Sequence, residues 1–424
     1  MKKPFYLALV VWGERHRNYM LDYCFPSLLA PNNVPSLKLG KRNKIIVCTT
    51  NIDQPYIENS HIVQALSHYI SFEYREISPP PPNLSGCQYM SVGHKIVTQM
   101  MWEDGVHGSV ITPDQIFSNG SLAFLQQKVE EGYDIILTPA CMRVRTDYFF
   151  QGLVDKQAIP SPNDLAVKGA PLIINNRDLV DITNRSIHVS YSIYEWGKPY
   201  FADFPVAAYW RIERNDQLKG TVNHILSWAQ SLVDYGLIKR HDMGTLDRCT
   251  IDADYFYENF GHHRNIYFST SSDEFMSASW SAPDEYQIQV PTRYTNPNSF
   301  SAHLDRMRYL SRSFYHPAFD RFKRKHFSKT VFYSCAGVDK DFFKQARASA
   351  FLIAIASSRW FYIYAVLHDK VHRQLIPALF WLWRHFKVYR SRVKNKMMAL
   401  FWKSKYRFRQ VLYVLYRFIK KKFF

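Results

Sequence analysis

The sequence predicts an α/β protein on a doubly wound, mostly parallel sheet, followed by a basic, aromatic helical tail. Two observations carry this. Short, near-continuous apolar runs rich in β-formers alternate with helix-like segments over the first 140 or so residues, the signature of a sheet buried on both faces. The charge is also segregated. The 424-residue chain carries a formal +18, and the stretch from Lys370 to Phe424 holds sixteen Lys/Arg and no Asp or Glu, leaving the first 369 residues close to neutral.

Phe5–Val11 is the first predicted strand, ended by Trp12-Gly13. Asn18–Leu29 has helical apolar spacing interrupted by Pro26, and Lys44–Thr50 (KIIVCTT) is the second strand. Ile62–Tyr69 reads as a helix, Ile70–Ile77 as the third strand and Pro79–Pro82 as a stiff connector. Met90–Trp102 is helical and leads into HGSVITPDQIFSNGSL, where Val110-Ile111 is cut off by Thr112-Pro113-Asp114. A buried parallel strand ending on an acid presents that acid at its carboxyl edge, where open α/β sheets bind ligands. Leu122–Glu131 is then a helix and Asp134–Pro139 a strand.

Beyond Met142 the pattern is mixed. Asp164–Asn184 is partly helical, and Gly220–Leu237 is predicted as an amphipathic helix carrying Trp228. Thr250–Phe256, Asn265–Ser269 and Glu274–Trp280 read as short strands. Ser281–Ser299 is a polar exit from the unit, and His303–Ser328 is basic, aromatic and helical. Ala350–Leu367 is the most apolar stretch, but Arg359 sits in its middle, and an arginine at a bilayer centre costs roughly 2.5–3.5 kcal/mol on insertion scales. The aromatic and basic residues that follow suit helices lying in a membrane interface, with each cation near an anionic leaflet contributing about 1 kcal/mol. The tail is therefore assigned to an anionic membrane surface through residues 350–424. A nucleic-acid partner is disfavoured by the apolar content of ALFWLW and VLYVLYRFI.

Six scattered cysteines without a CxxC pair fit free thiols in a reducing compartment. MKKPFYLALVVWGERHR lacks a small-residue cleavage site and reads as a core strand. The expected location is cytoplasmic, peripheral to the inner membrane face. No GxGxxG follows the first strand, and no Walker loop, GxSxG or HExxH occurs, which argues against a dehydrogenase, a P-loop kinase and a serine hydrolase.

The candidate site residues follow from oxygen-ligand chemistry. An enzyme using a nucleotide-sugar must neutralise a diphosphate leaving group, usually with Mg²⁺ or Mn²⁺ on carboxylates. Asp114 has the right topological place, and Asp252 and Asp254 in TIDADYF form a DxD pair that one extended segment would turn to the same side. Either helps hold the cation or acts as base. His224 is a further candidate metal or phosphate ligand. Lys95, after Gly93 at an expected helix start, is placed to meet phosphate. Trp12, Asp273 and Glu274 complete the expected donor contacts.

The strands LALVVW, KIIVCTT and SFEYREI, the helix HKIVTQMMWEDG and the strand-end acid of SVITPDQIFSNGSL resemble the nucleotide-binding half of glycosyltransferases with the GT-A fold. GTVNHILSW, TIDADYF and STSSDEF are similar to stretches of bacterial glycosyltransferase-like proteins, which extends the resemblance over roughly residues 5–290. The family's DxD ends the fourth strand; here that position reads Thr112-Pro113-Asp114, so only the last acid matches and metal dependence is left open. The resemblance implies a nucleotide-sugar-binding half over 1–145 and an acceptor-binding half of the same domain over 146–299, followed by a membrane-associating extension over 300–424. It implies transfer of a sugar to a lipid-linked or cell-surface glycan. A sugar nucleotidyltransferase shares the topology, but its loop after the first strand is usually glycine-rich, and WGERHRNY offers Arg15, His16 and Arg17 with one glycine. A binding protein on a catalytically degenerate transferase scaffold is the non-enzyme alternative.

Overall fold

In the computed structural model, the residues described are 3–370 apart from 82, 140–141, 160–168, 227, 248–250, 252, 282–293 and 317–328. A seven-stranded sheet is the centre of the molecule. It is built from β1 (Phe5–Val10), β2 (Lys44–Thr49), β3 (Ser71–Glu76), β4 (His107–Val110), β6 (Ile135–Pro139), β10 (Trp228–Asp234) and β11 (Ile266–Phe268), in the order β11-β6-β10-β4-β1-β2-β3. All pairings are parallel except those of β10, which runs antiparallel between β4 and β6.

The first strand shows why the apolar runs specify a two-faced sheet. Tyr6, Ala8 and Val10 pack into one core, while Phe5, Leu7, Leu9 and Val11 pack into the other, the period-2 alternation of a strand buried on both sides. On the first face lies α5 (Gly86–Asp104), contributing Tyr89, Val97 and Met101. On the second lie a π-helical turn (Met20–Cys24), α2 (Phe25–Leu28), α4 (His61–Leu66) and α6 (Ser121–Glu130), with α3 (Gln54–Glu58) beside α4; α1 (Glu14–Tyr19) leads into the π-helical turn and packs Tyr19 on the first core. Pro26 stands in the first turn of α2, where its missing N–H costs nothing. The helix α5 starts four residues before its apolar spacing does, because Ser85 and Gln88 form a reciprocal capping box.

Two three-stranded sheets flank this unit. One is β5 (Gln115–Phe117), β12 (Ser277–Ser281) and β7 (Met142–Arg145), in the order β5-β12-β7. The other is β13 (Thr330–Ser334), β9 (Gln217–Ile225) and β8 (Ala207–Arg214). Among the described residues, the remaining α-helices are α7 (Thr146–Asp155), α8 (Asn176–Arg185), α9 (Val189–Ser192), α10 (Ala253–Phe260), α11 (Phe300–Phe314), α12 (Lys340–Ala356) and α13 (Arg359–Lys370).

Two expectations are corrected. Gly220–Leu237 is not one helix but the end of β9, all of β10 and a single 3-10 turn at Tyr235–Leu237. Its apolar residues fit a 3.6 spacing only because both strands are buried on both sides: Thr221 to Leu226 are all buried. Thr250–Phe256 is not a strand, since α10 starts at Ala253 and buries Tyr255, Phe256 and Phe260. Of Asp164–Asn184, residues 164–168 lie outside the described residues, and among the described ones the helix begins at Asn176. The apolar stretch 350–367 is broken at Ser357-Ser358, where α12 and α13 meet at 64°. Among the described residues no single helix is long and apolar enough to cross a membrane. The exit segment and the second half of His303–Ser328 fall mainly on residues outside the description.

One glycine permits the floor of the site. A Cβ on Gly108 of β4 would lie 2.6 Å from the Tyr235 ring and 2.4 Å from Met101 Sδ, and Tyr235 is 1% exposed and packed edge-on against Phe260. We expect Gly108→Ala to lower stability by about 1–3 kcal/mol through overpacking, measured as a shift of the urea unfolding midpoint at unchanged slope. An unchanged midpoint would contradict this packing.

Candidate functional site

The site lies where the central sheet opens. Along β6, β10 is paired from Trp228↔Pro139 to Val233↔Ile135, but against β4 only at Val233↔Gly108 and Asp234↔His107. Beyond those pairs the two strands part, leaving a cavity of about 690 Å³ beside the carboxyl end of β4. Ligand pockets run about 300–1,000 Å³, so this space suits a molecule the size of a nucleotide-sugar.

Asp114 lines the cavity, and its turn is fixed from three sides. The Cys24 thiol donates to the Thr112 carbonyl at 3.6 Å, the Thr112 N–H donates to Gln115 Oε1 at 3.3 Å, and the Trp280 N–H donates to the Asp114 carbonyl at 3.4 Å. Burial, and then the negative charge of Asp114, push the Cys24 thiol far above its ordinary range, so it stays a protonated donor. Asp114 thus lies just beyond the carboxyl end of β4, facing the cavity.

The adjoining wall comes from the β5-β12-β7 sheet. Gln115 is paired with Ser279, and Ser279 with Arg143. Residues directly opposite one another share a face of the sheet, and all three line the cavity. Arg143 also donates to Ser281 Oγ at 2.5 Å. Trp228, 5% exposed, lines the same space, and its indole N–H has no acceptor among the described residues. His94 of α5 closes the cavity on the α5 side, with Nδ1 accepting the Ile251 N–H at 3.1 Å. That bond places the proton of the neutral ring on Nε2. Burial depresses its pKa to about 4. His16 of α1 reaches the cavity from the first loop.

Next to the cavity, the carboxyl edges of β1 and β2 are tied together by Asp53. Its carboxylate, 4% exposed as a residue, accepts from the Gly13 N–H (2.9 Å), Thr50 Oγ1 (2.9 Å) and Arg17 Nη1 (2.8 Å). Gly13 needs its left-handed φ of 76° for this loop. The Arg17 guanidinium lies 4.3 Å from the centre of the Tyr56 ring, and Trp12 packs edge-on against Tyr89 at 4.6 Å. Trp12 thus stands at the carboxyl edge of β1 and is not among the residues lining the cavity.

The other expected residues lie elsewhere or outside the description. His224 is on β9, in the third sheet, wholly buried, with Nε2 2.9 Å from Ser349 Oγ; it is a core histidine and no metal ligand for this site. Lys95 stands mid-way along α5, paired with Asp247, so no helix-end amides adjoin it. Asp273 is ion-paired with Arg177 at 3.1 Å, and Glu274 accepts from Tyr267 and Ser269 at 2.6 and 3.0 Å; Asp273 ties its turn to α8, and Glu274 holds its own chain segment. Asp254 lies in the first turn of α10 and is not among the residues lining the cavity. Asp252 lies outside the described residues, though its neighbour Ile251 lines the cavity. Among the described residues, no three His, Cys, Asp or Glu side chains are placed to hold a metal ion.

No described protein family matches the chain, and no curated protein does. Solved structures are similar in part. A Bacillus anthracis protein described as a glucose-1-phosphate thymidylyltransferase is similar over 32% of this chain and 56% of its own, at 12% identity and a TM-score of 0.20. Mouse xyloside xylosyltransferase 1 is similar over 38% and 61%, at 10% identity and 0.21. TarS of S. aureus is similar over 85% and 50%, at 11% identity and 0.28. The chain spans only about half to three-fifths of the length of each.

His94 gives the site a pH signature. Its folded pKa of about 4 lies below the ordinary 6.5, so the folded state binds fewer protons than the unfolded chain in that window. Stability is full above pH 6.5 and is lost as pH falls toward 4, by on the order of 3 kcal/mol. Asp22, whose carboxyl burial raises to about 6, works in the opposite sense and cancels in a comparison. We expect the stability difference between wild type and His94→Gln to shrink as pH is lowered from 7 to 4, followed by chemical denaturation. A constant difference would refute the buried neutral ring.

Proposed function

We propose that this protein transfers a sugar from a nucleotide-sugar donor to a glycan or lipid-linked acceptor, with the donor diphosphate beside Asp114. The observation that carries the reading is the cavity formed where β4 and β10 part. It is of ligand size, lies at the carboxyl edge of a parallel sheet, and sets one carboxylate against the donor groups of Arg143, Trp228 and His94. Such a wall suits a ligand rich in acceptor oxygens, as sugars and phosphates are.

In this reading the nucleoside lies toward Trp12 and the loop locked by Asp53, and the sugar reaches the space between Asp114 and Arg143. Mg²⁺ is commonly held by one or two carboxylates together with substrate phosphates, so Asp114 and the donor's own oxygens would serve a Mg²⁺ or Mn²⁺ ion, which would neutralise charge on the leaving diphosphate. Arg143 and the Trp228 N–H would orient bound oxygens. Asp114 and His16 are the groups lining the cavity that are able to accept the proton of an attacking hydroxyl. A nucleotidyltransferase would need its basic first loop free for phosphate, whereas Arg17 is held by Asp53 and covered by Tyr56. The acceptor would be met at the inner face of an anionic membrane, reached through the basic tail.

Binding of UDP-, GDP-, CMP- and dTDP-sugars, with and without Mn²⁺, tests this by thermal shift and calorimetry. At least one donor should stabilise the wild type, and Asp114→Asn should weaken that donor at least about tenfold and lower transfer about 10²-fold or more. No stabilisation by any donor, or equal binding by Asp114→Asn, would overturn the proposal.

A further inference from the structure

The surface of α13 carries an apolar stripe that the fold leaves uncovered. Trp360 is 82% exposed, Leu367 56% and Ile363 40%. At 100° per residue these three fall within about 60° of arc, so they form one ridge. The opposite side of the helix is fixed to the protein. Phe361 and Ala365 are buried against α11, and Asp369 accepts from Arg308 at 2.6 Å and from Arg312 at 2.7 Å. The Ser358 hydroxyl caps the first turn by accepting the Phe361 N–H. The ridge therefore faces outward by construction.

Charge says what the ridge meets. The sole carboxylate of α13, Asp369, is turned inward to two arginines, while Arg359 is exposed beside Trp360. The 54 residues that follow α13 carry fifteen Lys/Arg and no Asp or Glu. A tryptophan-bearing ridge without acid, at the root of a polycationic segment, complements an anionic lipid surface. The chain before it does not insert: Leu352, Ile353 and Ala356 of α12 are buried in the protein.

We infer that α13 is a membrane-docking helix, lying in the headgroup layer of an anionic bilayer with Trp360, Ile363 and Leu367 inserted. This rests on the membrane part of the reading above and not on the transfer chemistry, so a failed donor screen leaves it standing. Full-length wild type and the triple variant Trp360→Ser, Ile363→Ser, Leu367→Ser are compared by co-sedimentation with phosphatidylglycerol/phosphatidylcholine vesicles. Thermal unfolding midpoints within a few degrees establish that the variant is folded. At low salt the tail alone holds both proteins on the vesicles. At about 0.5 M salt, where exposed charges are screened, the wild type should keep at least about tenfold more bound protein than the variant. Equal retention at high salt overturns the inference. So does a wild type that elutes as a dimer while the variant elutes as a monomer, because a second copy then covers the ridge.

Discussion

The candidate site exists because β10 is paired with β6 along its length and with β4 at two positions only. The amino end of that junction is clamped. Lys3 holds both oxygens of Asp234 at 2.6 and 2.7 Å, and the Gly236 N–H adds a third contact at 2.9 Å. With the strands fixed there and twisting away from each other, a gap must open at the carboxyl end of β4. Everything placed around it follows: Asp114 at the rim, the Gln115–Ser279–Arg143 ladder beside it, and α5 with His94 closing one face.

How much of this was legible in the sequence depends on the range of the interactions. β1 and β2 were legible because their apolar runs are short, rich in β-formers and bounded by polar or glycine-containing segments, which sets them apart from a buried helix by length and not by period. Asp114 was legible because a proline and a polar turn end an apolar run locally. The β9–β10 segment was misread on period. When every position is buried, apolar residues fit a 3.6 spacing as well as a spacing of two, and His224 was carried to the wrong place with it. Arg143 gave no local sign, since its part depends on register with Ser279 more than a hundred residues away. Asp53 sits in an ordinary TTNID turn; only the folded loop shows Gly13, Thr50 and Arg17 converging on it.

The carboxyl-terminal third divides functions that its composition runs together. β13 and α12 belong to the body of the protein, β13 closing the third sheet and α12 burying His224 through Ser349. The break at Ser357-Ser358 then turns the chain outward. A continuous apolar count from 350 to 367 therefore mixes core residues with surface ones, and only α13 carries an exposed ridge.

The central claim is that the opening between β4 and β10 is where a nucleotide-sugar sits. A crystal structure of the full chain with the donor selected by calorimetry tests it most directly. Diphosphate density is expected within hydrogen-bonding or cation-mediated reach of Asp114, with the nucleoside toward Trp12 and the Asp53 loop. Density for the donor at the opposite edge of the sheet, beside Lys3 and Asp234, with the cavity empty, would contradict it.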